Sequence, residues 1–128
     1  MKPIEIYTHN FISSLVFTCA IETLVLFLIV RFVLKDKVMR LSDVIFAGFF
    51  ASFATITYVW FVFPILATWP QGMPQIYSEP FAFVVEAIFY RFFLRLSWKN
   101  AFAVSFIANV VSYYAGPVLR AHGLWVKW

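Results

Sequence analysis

The feature that most constrains this chain is an apolar run at residues 11–34, in which Glu22 and Arg31 are the only charged side chains. A helix rises about 1.5 Å per residue, so about 20 residues cross the hydrocarbon layer of a membrane. Further apolar runs follow at about 42–63, 80–96 and 98–116. Only 12% of the residues are charged, against about 25% in a soluble domain. The sequence therefore predicts an all-α, polytopic transmembrane four-helix bundle.

The four predicted helices pair into two helical hairpins, and residues 1–128 are expected to form a single transmembrane domain with no room for a second one. The first run is longer than the apolar region of a signal peptide and carries Glu22 at its centre, so we expect it to be retained as a span. The triplet Arg-Leu-Ser occurs at 40–42 and again at 95–97. This recurrence hints at a tandem repeat of the hairpin.

Basic residues predict the orientation. Seven of the ten lie in or beside the turns of the two hairpins, and the segment between the second and third helices has none. The positive-inside rule then places both turns on the cytoplasmic side of an inner membrane and both termini on its outer side. Aromatic side chains expected near the outer interface agree with this orientation: Tyr7, Trp60, Trp69, Tyr77, Tyr113, Tyr114, Trp125 and Trp128.

Capping residues predict where the helices begin and end. Residues 42–43 (Ser-Asp) and 78–80 (Ser-Glu-Pro) are typical of helix starts, and Ser97 is expected to cap the fourth helix. The pair at 116–117 (Gly-Pro) is expected to end that helix. The proline-containing segment 69–74 is expected to be a non-helical loop.

Polar residues inside the predicted spans need partners. An ionised Glu22 facing lipid would cost about 2.5 to 3.5 kcal/mol, so the side chain should face protein. Helix centres estimated from the sequence place Glu22, Ser52, Glu86 and Asn109 in one layer near the middle of the membrane. Supporting polar positions lie on the same helix faces: Thr18, Tyr90, Ser105 and Ser112. We predict that these side chains form a buried polar cluster.

Two interpretations of the cluster remain open. In the first, protonated carboxyl groups hydrogen-bond across helices and fix their packing, because burial favours the neutral form of an acid. In the second, the acids bind or relay protons or a cation, as acids inside a membrane commonly do.

Metal and cofactor binding, catalysis and nucleic-acid binding are expected to be absent. Cys19 is the single cysteine, so no thiolate metal cluster can form, and we expect neither a metal site nor a cofactor. No catalytic nucleophile and base stand at a recognisable spacing, so we expect no enzyme. The formal charge of +4 comes from basic turns beside membrane spans, which predicts no nucleic-acid partner.

The second half of the chain resembles small uncharacterised bacterial membrane proteins with four spans. The resemblance is carried by Trp60–Pro64, Glu86-Ala87, Tyr90-Arg91, Leu96–Trp98, Ala101, Ser105, Ala108-Asn109, Ser112 and Gly116. It implies that these polar positions form a recurring helix-packing pattern. Four-span small multidrug transporters also carry a glutamate in their first helix, and Glu22 is similar to it in this respect.

The leading functional hypothesis is a non-enzymatic subunit or accessory component of a membrane assembly, packed in the bilayer against itself or other membrane proteins. It rests on the 17 phenylalanines and the small-residue stripes. The alternative is an oligomeric small transporter or channel-like protein that couples to protons through Glu22 and Glu86. An enzyme acting on lipid is a third possibility.

Overall fold

The computed structural model describes residues 3–66 and 74–123. Helix α1 spans Pro3–Leu28 and continues as a π-helical stretch at Ile29–Val33. Helix α2 spans Leu41–Thr57.

The second helix continues beyond Thr57 as a π-helical stretch, Tyr58–Val62, and a final turn, Phe63–Leu66. Helix α3 spans Pro74–Phe93 and helix α4 spans Trp98–Ala121. The described residues are thus helices joined by turns, which agrees with the predicted all-α class.

The four helices form a bundle in which each helix packs against two neighbours. Helix α1 packs on α2 and α4, and α3 packs on the same two helices from the other side. Helices α1 and α3 therefore lie diagonally across the bundle axis. The hairpin turns at 34–40 and 94–97 lie at one end, which we call the closed end.

Three helical stretches among the described residues are long and apolar enough to cross a membrane: Ile4–Val33, Leu41–Val62 and Trp98–Ala121. Helix α3 is long enough but not apolar enough by the same criterion, because its 20 residues include three charged ones, Glu79, Glu86 and Arg91. These lengths and compositions support a membrane protein.

A hydrophobic core fills the closed end of the bundle. Its buried members are Leu26, Val30, Val44, Ala47, Ala51, Tyr90, Leu94, Leu96, Ala101 and Val104. They come from all four helices and the second hairpin turn. The close packing of these buried side chains leaves no open space between the described helices at that end of the bundle.

Several predicted helix boundaries are wrong. Helix α1 begins at Pro3 rather than near residue 11, and α3 begins at Pro74 rather than at residues 78–80. Helix α4 runs through Pro117 to Ala121 rather than ending at 116–117. The estimate followed hydropathy for α1, and the residues 78–80 (Ser-Glu-Pro) and 116–117 (Gly-Pro) for α3 and α4, whereas helical backbone hydrogen bonding continues past these positions. Proline suits a first helical turn, where no N–H partner is needed.

The capping predictions have mixed outcomes. The Ser97 cap is confirmed, since the Asn100 N–H donates to Ser97 Oγ over 3.3 Å. The expected cap at Ser42 is wrong: α2 is preceded by Arg40, whose side chain makes no capping hydrogen bond. Helix α3 ends at Phe93 rather than near 96. Most of the predicted loop at 69–74, together with Trp125 and Trp128, lies outside the described residues.

Arg31 organises the first hairpin turn. Its guanidinium donates to the carbonyl oxygens of Asp36 and Met39 at 2.8 and 2.7 Å. Each hairpin turn also contains one residue in the left-handed region, Lys35 with φ 54° and Arg95 with φ 55°. The Arg31 guanidinium therefore bonds to the backbone at the closed end, away from Glu22 and Glu86.

Candidate functional site

A polar cavity of about 450 Å³ lies inside the bundle. Tyr7, Trp60 and Arg120 line it near the ends of α1, α2 and α4 that lie opposite the hairpin turns. We call that end of the bundle the open end and the cavity the vestibule. The hydroxyl of Tyr7 donates to the Trp60 carbonyl at 2.5 Å, which ties the first helix to the second at the rim.

Glu22, Thr55, Glu86 and Asn109 form the floor of the vestibule. Each is the lining residue nearest to the closed end on its own helix. Glu22 and Glu86 are 2% and 1% exposed, and Asn109 is 9% exposed. The vestibule therefore ends on two carboxyl groups that the protein almost completely surrounds.

Two serine hydroxyls contact the carboxyl group of Glu22. Ser52 Oγ lies 2.5 Å from Oε2, and Ser112 Oγ lies 2.7 Å from Oε1. Ser52 belongs to α2 and Ser112 to α4, so the two helices that flank α1 both reach this acid. Each oxygen of Glu22 thus has a partner.

The carboxyl group of Glu86 is surrounded in the same way. Thr55 Oγ1 lies 2.9 Å from Oε1, and Asn109 Nδ2 lies 2.5 Å from Oε2. Ser105 Oγ is a more distant neighbour of Oε2 at 3.4 Å. The partners again come from the two flanking helices, α2 and α4.

Glu22 and Glu86 face each other across the diagonal of the bundle, and their carboxyl groups interact. Two ionised carboxylates have only acceptors, so a hydrogen bond between them requires a proton on one of them. Two negative charges at this separation in a low dielectric would repel strongly. We call these two groups the carboxyl pair.

The partners of the carboxyl pair follow a two-fold pattern. In α2, Ser52 bonds the acid of its own hairpin and Thr55 bonds the acid of the other. In α4, Asn109 bonds the acid of its own hairpin and Ser112 bonds the acid of the other. Both correspondences have the same spacing, since 109 − 52 and 112 − 55 are each 57.

This spacing relates α2 to α4. The two acids, on α1 and α3, are instead 64 residues apart, since 86 − 22 is 64, so the correspondence does not extend to those helices without a gap. The Arg-Leu-Ser triplets that hinted at a repeat have a spacing of 55, because 95 − 40 is 55. The register that the triplets suggest is therefore shifted by two residues from the one that the hydrogen bonds define.

The hydroxyl partners can serve both protonation states of the pair. A hydroxyl has one proton to donate and can also accept. Ser52 Oγ lies 2.8 Å from the Gly48 carbonyl, and Ser112 Oγ lies 3.1 Å from the Asn109 carbonyl. When Glu22 is ionised, each serine can donate to it. When Glu22 is protonated, a serine can turn its proton to the backbone and accept.

The Thr55 hydroxyl can likewise donate either to Glu86 or to the backbone, because it also lies 3.1 Å from the carbonyl oxygens of Ala51 and Ser52. No polar group has to be left without a partner when a proton arrives or leaves. An unsatisfied buried group would cost about 1 to 3 kcal/mol, so the arrangement keeps proton exchange inexpensive.

The donor set suits a proton or an ammonium group better than a bare metal ion. Asn109 Nδ2 lies 2.9 Å from the Ser105 carbonyl, which fixes the amide with its N–H groups toward Glu86. A hard cation would require oxygen ligands at that position. An ammonium group can instead donate to carboxylate oxygens directly.

The four residues predicted as a midplane cluster, Glu22, Ser52, Glu86 and Asn109, lie within this one hydrogen-bonded network. The supporting positions lie around it. Ser112 and Ser105 contact the acids, and Thr18 lines the vestibule. Tyr90 is fully buried next to the pair, and its hydroxyl has no hydrogen-bond partner in the described part of the chain. Both interpretations of the cluster, proton binding and the fixing of helix packing, stay predictions.

Three residues of the site are not among those predicted for the cluster, although Thr55 lies on the small and hydroxyl stripe expected to pack in the second helix. Thr55 bonds Glu86, and Glu79 and Arg120 line the vestibule. Thr55 lies one helical turn from Ser52 on the buried face of α2, so that spacing could have indicated it. Glu79 and Arg120 lie near helix ends, where a charged side chain is ordinarily assigned to the interface.

No protein-family model, no curated protein and no solved structure matches this chain. The resemblance to small bacterial four-span proteins therefore stays a prediction. Function has to be argued from the geometry of the site itself.

Replacing Asn109 with leucine is expected to destabilise the bundle modestly. The change removes the donor to Glu86 Oε2 and to the Ser105 carbonyl. Hydrogen bonds between membrane helices are worth about 0.6 to 2 kcal/mol, so Asn109→Leu should lower the free energy of unfolding by that amount without preventing insertion. Unfolding by SDS titration in mild detergent measures it.

Thr57→Val is a suitable control for this variant, because the Thr57 hydroxyl bonds to the Phe53 carbonyl within its own helix. The control should unfold at nearly the wild-type SDS fraction. An Asn109→Leu variant as stable as wild type would argue against a bonding role for Asn109.

Proposed function

We propose that this chain is a small proton-coupled membrane transporter in which the Glu22–Glu86 carboxyl pair is the coupling site. The observation that supports this function best is the vestibule of about 450 Å³ that ends on the pair. In this proposal all four helices cross the membrane, with the open end outside and the basic turns in the cytoplasm.

The size and lining of the vestibule support solute binding. Sites for small molecules have volumes of about 300 to 1,000 Å³, and a few polar groups fix the ligand within them. Here the polar groups converge on the floor, and they can exchange a proton without leaving an unsatisfied partner. Helix packing alone would not require a cavity between the acids and the open end.

Transport also requires access from the closed end. Leu26 and Tyr90 lie one helical turn beyond the pair, and the rest of the hydrophobic core lies beyond them. The buried Tyr90 hydroxyl has no partner among the described residues. We propose that the helices move apart there to expose the pair to the cytoplasm, as alternating access requires.

A dimer or larger homo-oligomer remains part of this proposal. The vestibule lies within one chain, so a second copy is not needed to complete the coupling site. A second copy would instead provide a surface against which the hairpins could move.

The accessory-subunit hypothesis remains the competing prediction. It requires a constant membrane partner, whereas a transporter functions alone or as copies of itself. Purification in mild detergent with identification of the co-purifying proteins separates the two. A stoichiometric foreign subunit would favour the accessory role.

Infrared spectroscopy of the purified protein tests the proton-binding premise. A carboxyl pair that shares a proton should show a protonated-carboxyl band at about pH 7, far above the ordinary glutamate pKa of about 4.3. Difference spectra between about pH 5 and pH 9 measure this band. Its loss in wild type by about pH 6 would mean that both acids are solvated, and the proposed coupling site would fail.

Orientation can be measured by labelling single cysteines in a Cys19→Ala background, since Cys19 is buried. A cysteine at Asp36 should react with an impermeant reagent only from the cytoplasm, because it lies in a basic turn. A cysteine at Gln71, or a reporter fused after Trp128, should be accessible from outside. The opposite labelling pattern would contradict the proposed topology.

A further inference from the structure

The turn between α3 and α4 carries a concentrated positive charge at the closed end of the bundle. Three basic residues, Arg91, Arg95 and Lys99, lie in it or beside it. Arg95 and Lys99 are exposed. No aspartate or glutamate occurs in residues 87–128, so the second hairpin has no acid of its own to neutralise this charge.

The guanidinium of Arg91 is held on two aromatic rings. Its central carbon lies 5.7 Å from the centre of the Trp98 ring and 6.0 Å from that of Phe92. The Nε atom is covered by protein and has no hydrogen-bond partner in the described part of the chain. Among the described residues, no carbonyl or carboxylate oxygen accepts from its other N–H groups either. This charged group therefore lacks an acceptor.

The arginine of the first hairpin has the acceptors that the second one lacks. Arg31 donates to the carbonyl oxygens of Asp36 and Met39, which the first turn brings back over the guanidinium. The second turn, residues 94–97, is shorter and brings no such carbonyl to Arg91. An acceptor for Arg91 therefore has to come from outside the described part of the chain.

Depth in the membrane identifies the kind of acceptor. Arg91 follows Glu86 by five residues, since 91 − 86 is 5, which is about 7 Å along α3 toward the closed end. At that depth an arginine extends its side chain toward the interface. Its contact with Trp98, the first residue of α4, agrees with this direction. The anions at that level of a bilayer are the phosphate groups of lipids.

The surface next to Arg91 suits an acyl chain. Trp98 stacks on Phe102 with 5.9 Å between ring centres, and Phe83 packs on Phe102 and Phe106 at 5.5 and 6.0 Å. Phe102 and Phe106 are 36% and 58% exposed. These rings continue from the guanidinium along the contact between α3 and α4, toward the middle of the membrane.

We infer that the turn between α3 and α4 binds one anionic phospholipid, whose phosphate accepts from Arg91 and whose acyl chain lies against Phe102 and Phe106. A planar guanidinium can donate two hydrogen bonds to a phosphate while its face stays on an aromatic ring. Arg95 and Lys99 favour a headgroup with net negative charge over a zwitterionic one, whose cationic group they repel. The inference goes beyond the proposed function, because the carboxyl pair takes no part in it.

Native mass spectrometry of the full chain in non-ionic detergent tests the inference. Phosphatidylglycerol and phosphatidylcholine with the same acyl chains are the probes. Wild type should bind one phosphatidylglycerol about tenfold more tightly than phosphatidylcholine, since each basic residue near an anionic headgroup contributes about fivefold. Glycerol phosphate in excess should not displace the lipid, because it has no acyl chain.

Variants assign the separate contributions. Arg91→Gln should raise the dissociation constant of phosphatidylglycerol by about tenfold, because a charged hydrogen bond to the phosphate is lost. Lys99→Gln should reduce the preference over phosphatidylcholine by about fivefold, and it tests the site independently if Arg91→Gln does not fold. Lys37→Gln is the matched control, since it removes an exposed charge from the first turn at the same end. It should leave both quantities nearly unchanged.

Three results would overturn the inference. Equal binding of the two lipids by wild type would exclude selection of an anionic headgroup. A loss of binding in Lys37→Gln as large as that in Arg91→Gln would reduce the effect to general attraction between a basic end and an anionic lipid. Displacement by glycerol phosphate would assign Arg91 to a free phosphate. The Glu22→Gln, Glu86→Gln double variant should bind phosphatidylglycerol as wild type does, so failure of the proposed function would leave this result in place.

Discussion

Replacing both members of the carboxyl pair with glutamine is expected to abolish solute-driven proton movement and leave the bundle folded. An amide cannot take up or release a proton, so Glu22→Gln with Glu86→Gln removes the coupling site. Proteoliposomes loaded with a pH indicator and exposed in turn to alkylamines, amino acids and sugars measure the effect. The double variant should match protein-free liposomes.

The fold should survive the double substitution because the partners of the carboxyl pair can adapt. The hydroxyls of Ser52 and Ser112 can donate to backbone carbonyls and accept from the new amide. Thr55 can do the same. The SDS fraction at the midpoint of unfolding should therefore stay close to that of wild type. Asp43→Asn, which neutralises an acid in the first turn of α2 at the closed end, should leave both activity and stability unchanged.

Two results would contradict the transporter proposal. Solute-driven proton movement in the double variant equal to that of wild type would mean that the pair only fixes helix packing. If the folded, correctly oriented wild-type protein shows no proton movement with any of the tested solutes, the accessory-subunit hypothesis is favoured instead.

The sequence predicted the interior faces of the helices because polar residues in apolar helices must find partners within the protein. Glu22 and Glu86 could each be assigned an inward direction from the small and hydroxyl residues one and two turns away. The estimated depth of each residue in the membrane then placed Asn109 and Ser52 at the same level as the two acids. Each step needs only the helical repeat and the thickness of the bilayer.

The vestibule could not be predicted in the same way. It exists because all four helices enclose a space on the open-end side of the Ser112–Glu22 contact, and the size of that space depends on how the four pack together. Arg120 belongs to the site only because α4 continues beyond Pro117. The Gly116-Pro117 pair predicts a helix end at that point instead, because proline has no backbone N–H to continue the hydrogen-bond pattern.

The close approach of α1 and α2 at Gly48 leads to the second large expected effect. A Cβ atom on residue 48 would lie 2.7 Å from Thr23 Oγ1 and 2.8 Å from Thr23 Cα. The first contact could be relieved by a side-chain rotation, but the second requires the two helices to separate. Glycine at this position therefore sets the distance between α1 and α2, as small residues do in membrane bundles.

Gly48→Ala is accordingly expected to destabilise the bundle by about 1 to 3 kcal/mol, the usual cost of overpacking. Helix propensity alone predicts the opposite sign, since alanine in a helix is favoured over glycine by about 1 kcal/mol. The separation should also lengthen the Ser52–Glu22 contact of 2.5 Å, one turn away, and so shift the infrared band of the carboxyl pair. SDS titration and the infrared band measure the two effects.

Two further variants identify the cause of the Gly48→Ala effect. Adding Thr23→Gly removes the Oγ1 and Cβ contacts but not the one with Cα, so it should restore stability only in part. Ser52→Ala removes the hydrogen bond to Glu22 without moving the helices, and should shift the infrared band of the carboxyl pair with a smaller loss of stability. A Gly48→Ala protein as stable as wild type would mean that α1 and α2 are not held at this distance. The position of Ser52 beside Glu22 would then need another cause.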